Sequence, residues 1–309
     1  MQTFAVETVA RPVLVRLRGR EQQNGRVLGG GRGAAYVSID GFVAAITGRD
    51  VPLMPNGITV TSARGPTEIA PGAAVAIAPG RIEAGQTVFA WDPERPPVWE
   101  PSLPPLPRLD PESLGRAAAA RGRAIFELAG CPLPARPGPV RSSDLAAACA
   151  SLVRTARPET GGSRAEELGR LLAAVARRSS AEAGEAVRGL LGRGPGLTPE
   201  GDDLIAGCAA TLRGIGAAVC GVYGSREWRD SLLPCDRAHR TTAISCTLLE
   251  LAVAGDVAQP LGTLLDLSAS PARVAPAVAQ LLRLGHSTGR AYVAAVAATL
   301  CLLTPEPVP

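Results

Sequence analysis

The chain contains no lysine, so all 32 of its basic residues are arginine. This absence excludes a lysine on a nucleotide phosphate, a Schiff base and a lysine general base. A clamp for a phosphate or a carboxylate must therefore use arginine, backbone N–H groups or a metal. Aromatic residues make up only 3% of the 309 residues, while 46% are hydrophobic, which predicts cores packed with small aliphatic side chains.

Histidines are also few, and the basic residues form no block. There are two histidines, and the net charge of +4 is spread without a basic block, so we expect no nucleic-acid partner. Seven cysteines form no C-x-x-C pair, which predicts reduced and mostly buried thiols in a cytoplasmic protein. The N-terminus has no signal-peptide core, and the apolar stretch 291–303 is too short to span a bilayer, so no membrane partner is expected.

Composition divides the chain into three segments. Residues 1–92 carry short strand patterns separated by glycine, asparagine and proline turns, which predicts a β-rich barrel or sandwich domain. Residues 93–111 are rich in proline and predict a stiff linker or strap. Residues 112–309 are predicted to form an all-helical domain, so the whole chain is expected to have an α+β fold.

The individual elements follow from the same patterns. The predicted strands are 13–17, 34–39, 42–46, 58–61, 74–77 and 87–91, with a turn at the glycines 29–31. The predicted helices are 112–129, 142–157, 163–178, 180–191, 199–220, 239–254, 257–267, 271–284 and 287–303. Ser143 and Ser180 are predicted N-caps, and Gly255 is a predicted helix stop.

Residues 192–207, GRGPGLTPEGDDLIAG, form the most informative pattern of the chain. Glycines allow sharp bends and a close approach to a ligand. Thr198 followed by Pro199 predicts a helix start in which the hydroxyl caps free N–H groups. We expect a helix N-terminus with bare amides facing a glycine loop, a favourable place for a phosphate or a carboxylate.

Asp202 and Asp203 enter this helix in its first turns, although the helix is apolar nearly all round and should be buried. A buried carboxylate needs a cation, a metal or hydrogen-bond donors beside it. The pattern requires no cofactor, but these two aspartates are the residues that would hold Mg²⁺ if the site uses a metal. The alternative is structural, because acidic residues in a first turn also complement the helix dipole.

Two further apolar helices begin with polar clusters that contain the only histidines, His239 and His286. If the three helix starts converge, they form a polar pocket suited to holding a small anion and moving protons. The structural alternatives stay open: the hydroxyls of these clusters can cap helices, His286 can be a core histidine, and His239 resembles a solvated cap.

Three motifs resemble the AllH-type family, which is associated with one subunit of oxamate carbamoyltransferase: Gly194-Pro-Gly-Leu-Thr-Pro-x-Gly-Asp-Asp203, Thr241-Thr-x-x-Ser245 and Gly285-His-Ser-Thr-Gly289. Glu200 stands where a small residue, often serine, is expected in that family. The resemblance implies carbamoyl transfer between carbamoyl phosphate and oxamate, with oxalurate as the other carbamoyl compound, in allantoin degradation. It also implies companion subunits, one of them related to acyl-CoA synthetase-like proteins.

The residues and the resemblance together give a candidate site. The candidate catalytic residues are Asp202, Asp203 and His286. The candidate substrate-binding residues, all in the three motifs or beside them, are Gly194, Gly196, Leu197, Thr198, Gly201, Arg240, Thr241, Thr242, Ser245, Ser287, Thr288, Gly289 and Arg290. Amides around 194–197 would receive a phosphate or carbamoyl oxygen, and Arg240 or Arg290 would pair with the substrate carboxylate.

Two other functions compete with carbamoyl transfer. One is a non-catalytic subunit that holds a small anion. The other is a Mg²⁺-dependent phosphoryl-group enzyme with the metal on Asp202 and Asp203.

Overall fold

The structure, a computed structural model, describes residues 1–17, 23–31, 33–66, 69–134, 140–153 and 164–304. The chain divides into two compact units, Met1–Ser102 with Val257–Gln259 and Leu103–Asp256 with Pro260–Pro309. This division falls inside the proline-rich segment; the boundaries at residues 92 and 111 stay a prediction. Within the described ranges, no helix has both the length and the hydropathy that crossing a membrane requires.

The first unit is a closed barrel of eight strands, which confirms the predicted β-rich domain. The strand order around the barrel is β1-β5-β4-β3-β2-β6-β7-β8. Strand β1 closes the ring, because it pairs antiparallel with β5 on one side and parallel with β8 on the other. The strands are β1 Gln2–Ala10, β2 Gln23–Gly31, β3 Ala34–Ile39, β4 Phe42–Thr47, β5 Gly57–Val60, β6 Ala74–Ala78, β7 Arg81–Ala84, β8 Thr87–Ala90 and the short β9 Val98–Trp99, which pairs with β1.

Apolar side chains of alternate strand positions fill this barrel. Strand β3 alternates between buried and half-buried positions, as expected for a strand with one face toward a core. Ile46, Ile58 and Phe89 are completely buried, and the Phe89 ring stacks on Phe4 with centroids 5.7 Å apart. Closure leaves β1 to β8 without an unpaired edge.

Two local predictions in this unit are wrong. Residues 13–17 lie in a helix, α1 (Arg11–Leu17), and not in a strand. The glycines 29–31 lie in strand β2 and not in a turn. Glycine suits this strand because a neighbouring backbone comes very close: a Cβ at Gly30 would lie 2.8 Å from the carbonyl oxygen of Ala34.

The second unit contains helices and, in the part of it that the structure describes, no β-strand, which confirms the predicted helical region. Its helices are α2 Pro111–Leu128, α3 Ser142–Leu152, α4 Arg164–Arg177, α5 Ser180–Leu190, α6 Glu200–Thr211, α7 Ala217–Val219, α8 Arg226–Leu232, α9 Ala243–Ala254, α10 Gln259–Leu265, α11 Pro271–Leu282 and α12 Thr288–Leu302. A π turn, Leu212–Gly216, joins α6 to α7.

Helix α12 lies at the centre of this unit, with every residue from Ala291 to Leu302 buried. Small residues let its neighbours approach closely. A Cβ at Gly207 of α6 would lie 2.9 Å from the Cβ of Ala295, and one at Gly122 of α2 would lie 2.5 Å from the carbonyl oxygen of Ala297. Helix α6 is buried over its whole length, as its apolar sequence predicts.

Several helix ends differ from the prediction. Ser179, not Ser180, caps α5, because its hydroxyl accepts a hydrogen bond from Glu182 N. Ser143 lies inside α3, which ends at Leu152; the predicted continuation over 154–157 lies outside the described residues. Helix α8 was not predicted. Gly255 does end α9, with a left-handed φ of 98°.

The cysteines follow the prediction only in part. All seven are free, but only Cys149, Cys208 and Cys301 are buried, and Cys235 is exposed.

Candidate functional site

The starts of helices α6, α9 and α12 meet at the glycine loop 192–198. The hydroxyls of Thr198, before α6, and Thr288, in α12, form a hydrogen bond of 2.9 Å. Thr242, the N-cap of α9, donates its hydroxyl to the carbonyl oxygen of Leu197 at 2.6 Å. Thr241 donates to the carboxylate of Asp202 in α6. Three polar clusters that are far apart in sequence are therefore in direct contact.

Asp202 fastens the glycine loop to α9. Its Oδ1 accepts a hydrogen bond of 2.7 Å from the N–H of Gly192, and its Oδ2 accepts the Thr241 hydroxyl. Burial raises the pKa of Asp202, while the N–H of Gly192 and the hydroxyls of Thr241 and Ser245 lower it. Both oxygens of Asp202 therefore have donors, so this carboxylate has a structural explanation.

Asp203 lies in a different environment, although it is the next residue. Burial raises the pKa of Asp203 well above its ordinary value, and the negative charges of Asp202 and Glu200 raise it further. The hydroxyls of Thr288 and Thr198 lower the pKa but do not cancel this shift. Its side chain is buried, and within the described part of the chain its Oδ2 accepts no hydrogen bond. The neutral, protonated form is therefore favoured, so Asp203 keeps its proton at a pH where an exposed aspartate has lost it.

Glu200 forms an ion pair with Arg164, a residue that the sequence analysis did not find. The Arg164 Nη1 lies 3.1 Å from the Glu200 Oε1, and the two side chains are 11% and 3% exposed. The pair lies against the glycine loop, because a Cβ at Gly194 would be 3.0 Å from Arg164 Nη1 and 2.8 Å from Glu200 N. The only signal in the sequence was indirect: a third carboxylate at the start of a buried helix needs a cation.

The glycine loop itself presents unused N–H groups. The amides of Gly194, Gly196, Leu197 and Thr198 donate no hydrogen bond to any described residue. Gly194 and Gly196 have left-handed φ values of 118° and 101°. Successive free amides around left-handed residues form concavities that suit anions. The side chain of Leu197 is exposed, so this part of the loop is open to solvent.

The sequence predicted free N–H groups in the first turn of α6, and this prediction is wrong. Gly201 N–H donates to the carbonyl oxygen of Arg193 at 2.8 Å, and the N–H groups of Asp202 and Asp203 donate to that of Pro199 at 2.9 and 3.3 Å. Thr198 is not the N-cap: α6 begins one residue later than predicted, after Pro199, and the Thr198 hydroxyl bonds to Thr288 instead. Donors for an anion are therefore in the loop and not at the helix start.

Three charged or ionisable candidates are less closely tied to this cluster. Arg240 donates to the carbonyl oxygen of Arg188 at 2.6 Å and lies 3.6 Å from Asp236, so its guanidinium already has partners. His286 and Arg290 are exposed, and neither side chain forms a hydrogen bond or an ion pair with a residue that the structure describes.

The remaining candidates are buried. A Cβ at Gly201 would lie 2.0 Å from the carbonyl oxygen of Leu190, and one at Gly289 would lie 1.7 Å from that of Leu281. Packing against the chain itself therefore explains both glycines. Ser245, in the first turn of α9, and Ser287, just before α12, are also buried.

The ligand set for a metal is small. Among the described residues, no group of three or more His, Cys, Asp or Glu side chains is arranged to hold a metal ion. A Mg²⁺ on Asp202 and Asp203 would have to complete its coordination with water or substrate.

Comparison with known proteins identifies the region that contains this cluster. Residues 190–300 match the family model described as oxamate carbamoyltransferase subunit AllH, which confirms the resemblance. The matched segment begins just before the glycine loop and ends within α12. No solved structure matches the chain.

Proposed function

We propose that this chain is a subunit of a carbamoyltransferase that acts on carbamoyl phosphate and oxamate, with oxalurate as the other carbamoyl compound, in allantoin degradation. The observation that carries the proposal is the buried Asp203, which lies beside a loop of unused amides within the segment that matches AllH. Companion subunits, one of them acyl-CoA synthetase-like, complete the enzyme.

The degradative reaction moves a carbamoyl group from nitrogen to oxygen. A phosphate oxygen attacks the carbamoyl carbon of oxalurate, a C–O bond forms, and the C–N bond to the oxamate nitrogen breaks. The nitrogen gains one proton and leaves as the amide of oxamate. The attacking hydrogen phosphate loses one proton, which restores the acid, and carbamoyl phosphate remains. The protein must stabilise the negative charge on the carbamoyl oxygen and supply the proton that the nitrogen gains.

The loop amides are the donors for that oxygen. In this proposal, the N–H groups of Gly194, Gly196 and Leu197 receive the phosphate or the carbamoyl oxygen. Asp202 supports them indirectly, because its bonds to Gly192 and Thr241 fix the loop against α9. Asp202 is therefore a positioning residue.

Asp203 is the proton donor in this proposal. Its raised pKa keeps a proton on the carboxyl group, and this proton passes to the leaving nitrogen. In the reverse direction, the carboxylate takes a proton from the amide of oxamate. Arg290 is a better partner for the substrate carboxylate than Arg240, because Arg240 already bonds to the carbonyl oxygen of Arg188.

The test is turnover of oxalurate with phosphate by the variant Asp203→Asn, assembled with its companion subunits. Loss of a positioned general acid should lower kcat by about 10²–10⁴-fold. Asp230→Asn is the matched control, because Asp230 is an exposed aspartate, paired only at the surface with Arg226, and turnover should stay normal. Circular dichroism and co-purification check folding and assembly. Near-normal turnover in Asp203→Asn would show that Asp203 is not the proton donor.

A non-catalytic subunit that holds a small anion is the second candidate. It is favoured by the complete hydrogen bonding of Asp202, which explains that residue without chemistry. In this case Asp203→Asn would leave kcat unchanged. Gly196→Pro, which removes the free amide of Gly196 and cannot keep its φ of 101°, would weaken phosphate binding.

A further inference from the structure

A polar cleft of about 380 Å³ lies at the C-terminal end of helix α6. The opposite end of this helix carries the acidic cluster, which consists of Glu200, Asp202 and Asp203. The walls of the cleft come from α6, the π turn, the turn at 221–224, α8 and the end of α9. None of the residues of the acidic cluster or the glycine loop lines it. Its volume is in the range of sites for small molecules.

Two arginines line this cleft, and neither has an ionic partner among the described residues. Arg213 belongs to the π turn and Arg229 to α8. In the part of the chain that the structure describes, neither guanidinium forms a hydrogen bond or an ion pair. The lining includes no acidic residue. Arg226, one turn from Arg229 on the same helix, differs because it pairs with Asp230.

Packing supports the stem of Arg213 on one side of the cleft, although the side chains of Arg213 and Arg229 are both exposed. The stem of Arg213 lies against the end of α9, where a Cβ at Gly255 would be 3.7 Å from its Cγ. The phenol of Tyr223, another lining residue, is anchored by a hydrogen bond of 2.8 Å to the carbonyl oxygen of Val175. Ser225 adds a hydroxyl group to the wall.

The cleft contains two guanidinium groups and no carboxylate, so its charge is positive and attracts an anion. A guanidinium presents paired N–H donors that match the oxygens of phosphate and carboxylate. We propose that the Arg213–Arg229 cleft binds a small dianion, a phosphate or a dicarboxylate, at a site separate from the glycine loop. The π turn that carries Arg213 is consistent with this, because such turns occur frequently at functional sites.

Calorimetric titration of the purified full chain with inorganic phosphate and with malonate tests the proposal and separates the two sources of the dianion. In the double variant Arg213→Gln/Arg229→Gln, the Kd of the anion that binds should rise roughly tenfold or more, since each hydrogen bond to a charged group contributes on this scale. Arg226→Gln should leave the Kd unchanged, because Arg226 is an exposed residue outside the cleft.

Labelling with phenylglyoxal, read residue by residue by mass spectrometry, gives an independent result without any substitution. Phosphate or malonate should slow modification of Arg213 and Arg229 but not of Arg226. Equal labelling with and without both anions, or a double variant in which no anion-binding event is weakened, would overturn the proposal. Asp203→Asn should retain the protection, so failure of the carbamoyl-transfer proposal does not affect this test.

Discussion

The barrel and the helical unit bury different kinds of polar side chain. Among the described residues of the barrel, the buried polar side chains are neutral: Thr47, Asn56 and Thr59. Asn56 donates to the carbonyl oxygen of Val43 at 2.9 Å, and the two threonine hydroxyls face each other at 3.5 Å. The helical unit instead buries three carboxylates within a single turn, at Glu200, Asp202 and Asp203.

The difference shows that neutral and charged side chains need different compensation when they are buried. A neutral amide or hydroxyl is satisfied by one or two hydrogen bonds, whereas a buried carboxylate requires compensation by charge, donors or protonation. Glu200 is compensated by the charge of Arg164 and Asp202 by two hydrogen-bond donors. Asp203 forms no ion pair with a described residue, and burial raises its pKa well above the ordinary value. Of the three carboxylates, Asp203 is therefore the one whose burial the contacts within the fold explain least.

The largest expected effect tests whether the carboxylates really depend on local compensation. Arg164→Met removes the cation from a buried ion pair and should lower the free energy of unfolding by about 3–5 kcal/mol. Urea denaturation measures this change. Arg170→Met, in the same helix, removes an exposed partner of Glu167 and should have a much smaller effect. Equal effects of the two variants would show that the buried carboxylate of Glu200 does not depend on Arg164.

A pH series tests the protonation of Asp203. The folded-state pKa is raised above the ordinary value of 3.8, so from about pH 4 up to that raised pKa the folded chain holds a proton that the unfolded chain has lost. The contribution of Asp203 to wild-type stability therefore falls as pH rises through this window, by about 1.4 kcal/mol for each unit of difference between the two pKa values.

The variant Asp203→Asn lacks this loss, so its stability relative to wild type should increase with pH and then level off. Paired urea denaturations at a series of pH values give the difference directly. A difference that is independent of pH would mean that Asp203 has an ordinary pKa in the folded protein.

The smallest expected effect compares the threonine pairs of the two units. Thr198→Val removes the hydrogen bond to Thr288 and should lower the free energy of unfolding by about 0.5–1.5 kcal/mol. Thr47→Val removes a longer contact with Thr59 and should cost less. Thermal unfolding of both variants ranks them, and the reverse order would contradict this account of the loop.

The sequence predicted elements that local patterns determine and missed contacts that they do not. The alternation in 34–39 and the long apolar helices are local, and the structure has both. The start of α6 was misplaced because Thr288, ninety positions later, takes the Thr198 hydroxyl. Arg164 was not identified because nothing in its neighbourhood indicates a partner at Glu200. Closure of the barrel through the β1–β5 pair is likewise a long-range feature.

The π turn at Leu212–Gly216 rotates the side chains that follow it relative to those of helix α6, which begins at Glu200. Its hydrogen bond from Ala217 N–H to the carbonyl oxygen of Leu212 encloses one residue more than an α turn does. Each residue of an α-helix advances the side chains by about 100°, so those beyond the turn are offset by roughly that angle from an unbroken helix. The turn therefore sets the direction of the side chains of α7 independently of those of α6, and deleting one of its residues would rotate α7 by about 100° relative to α6.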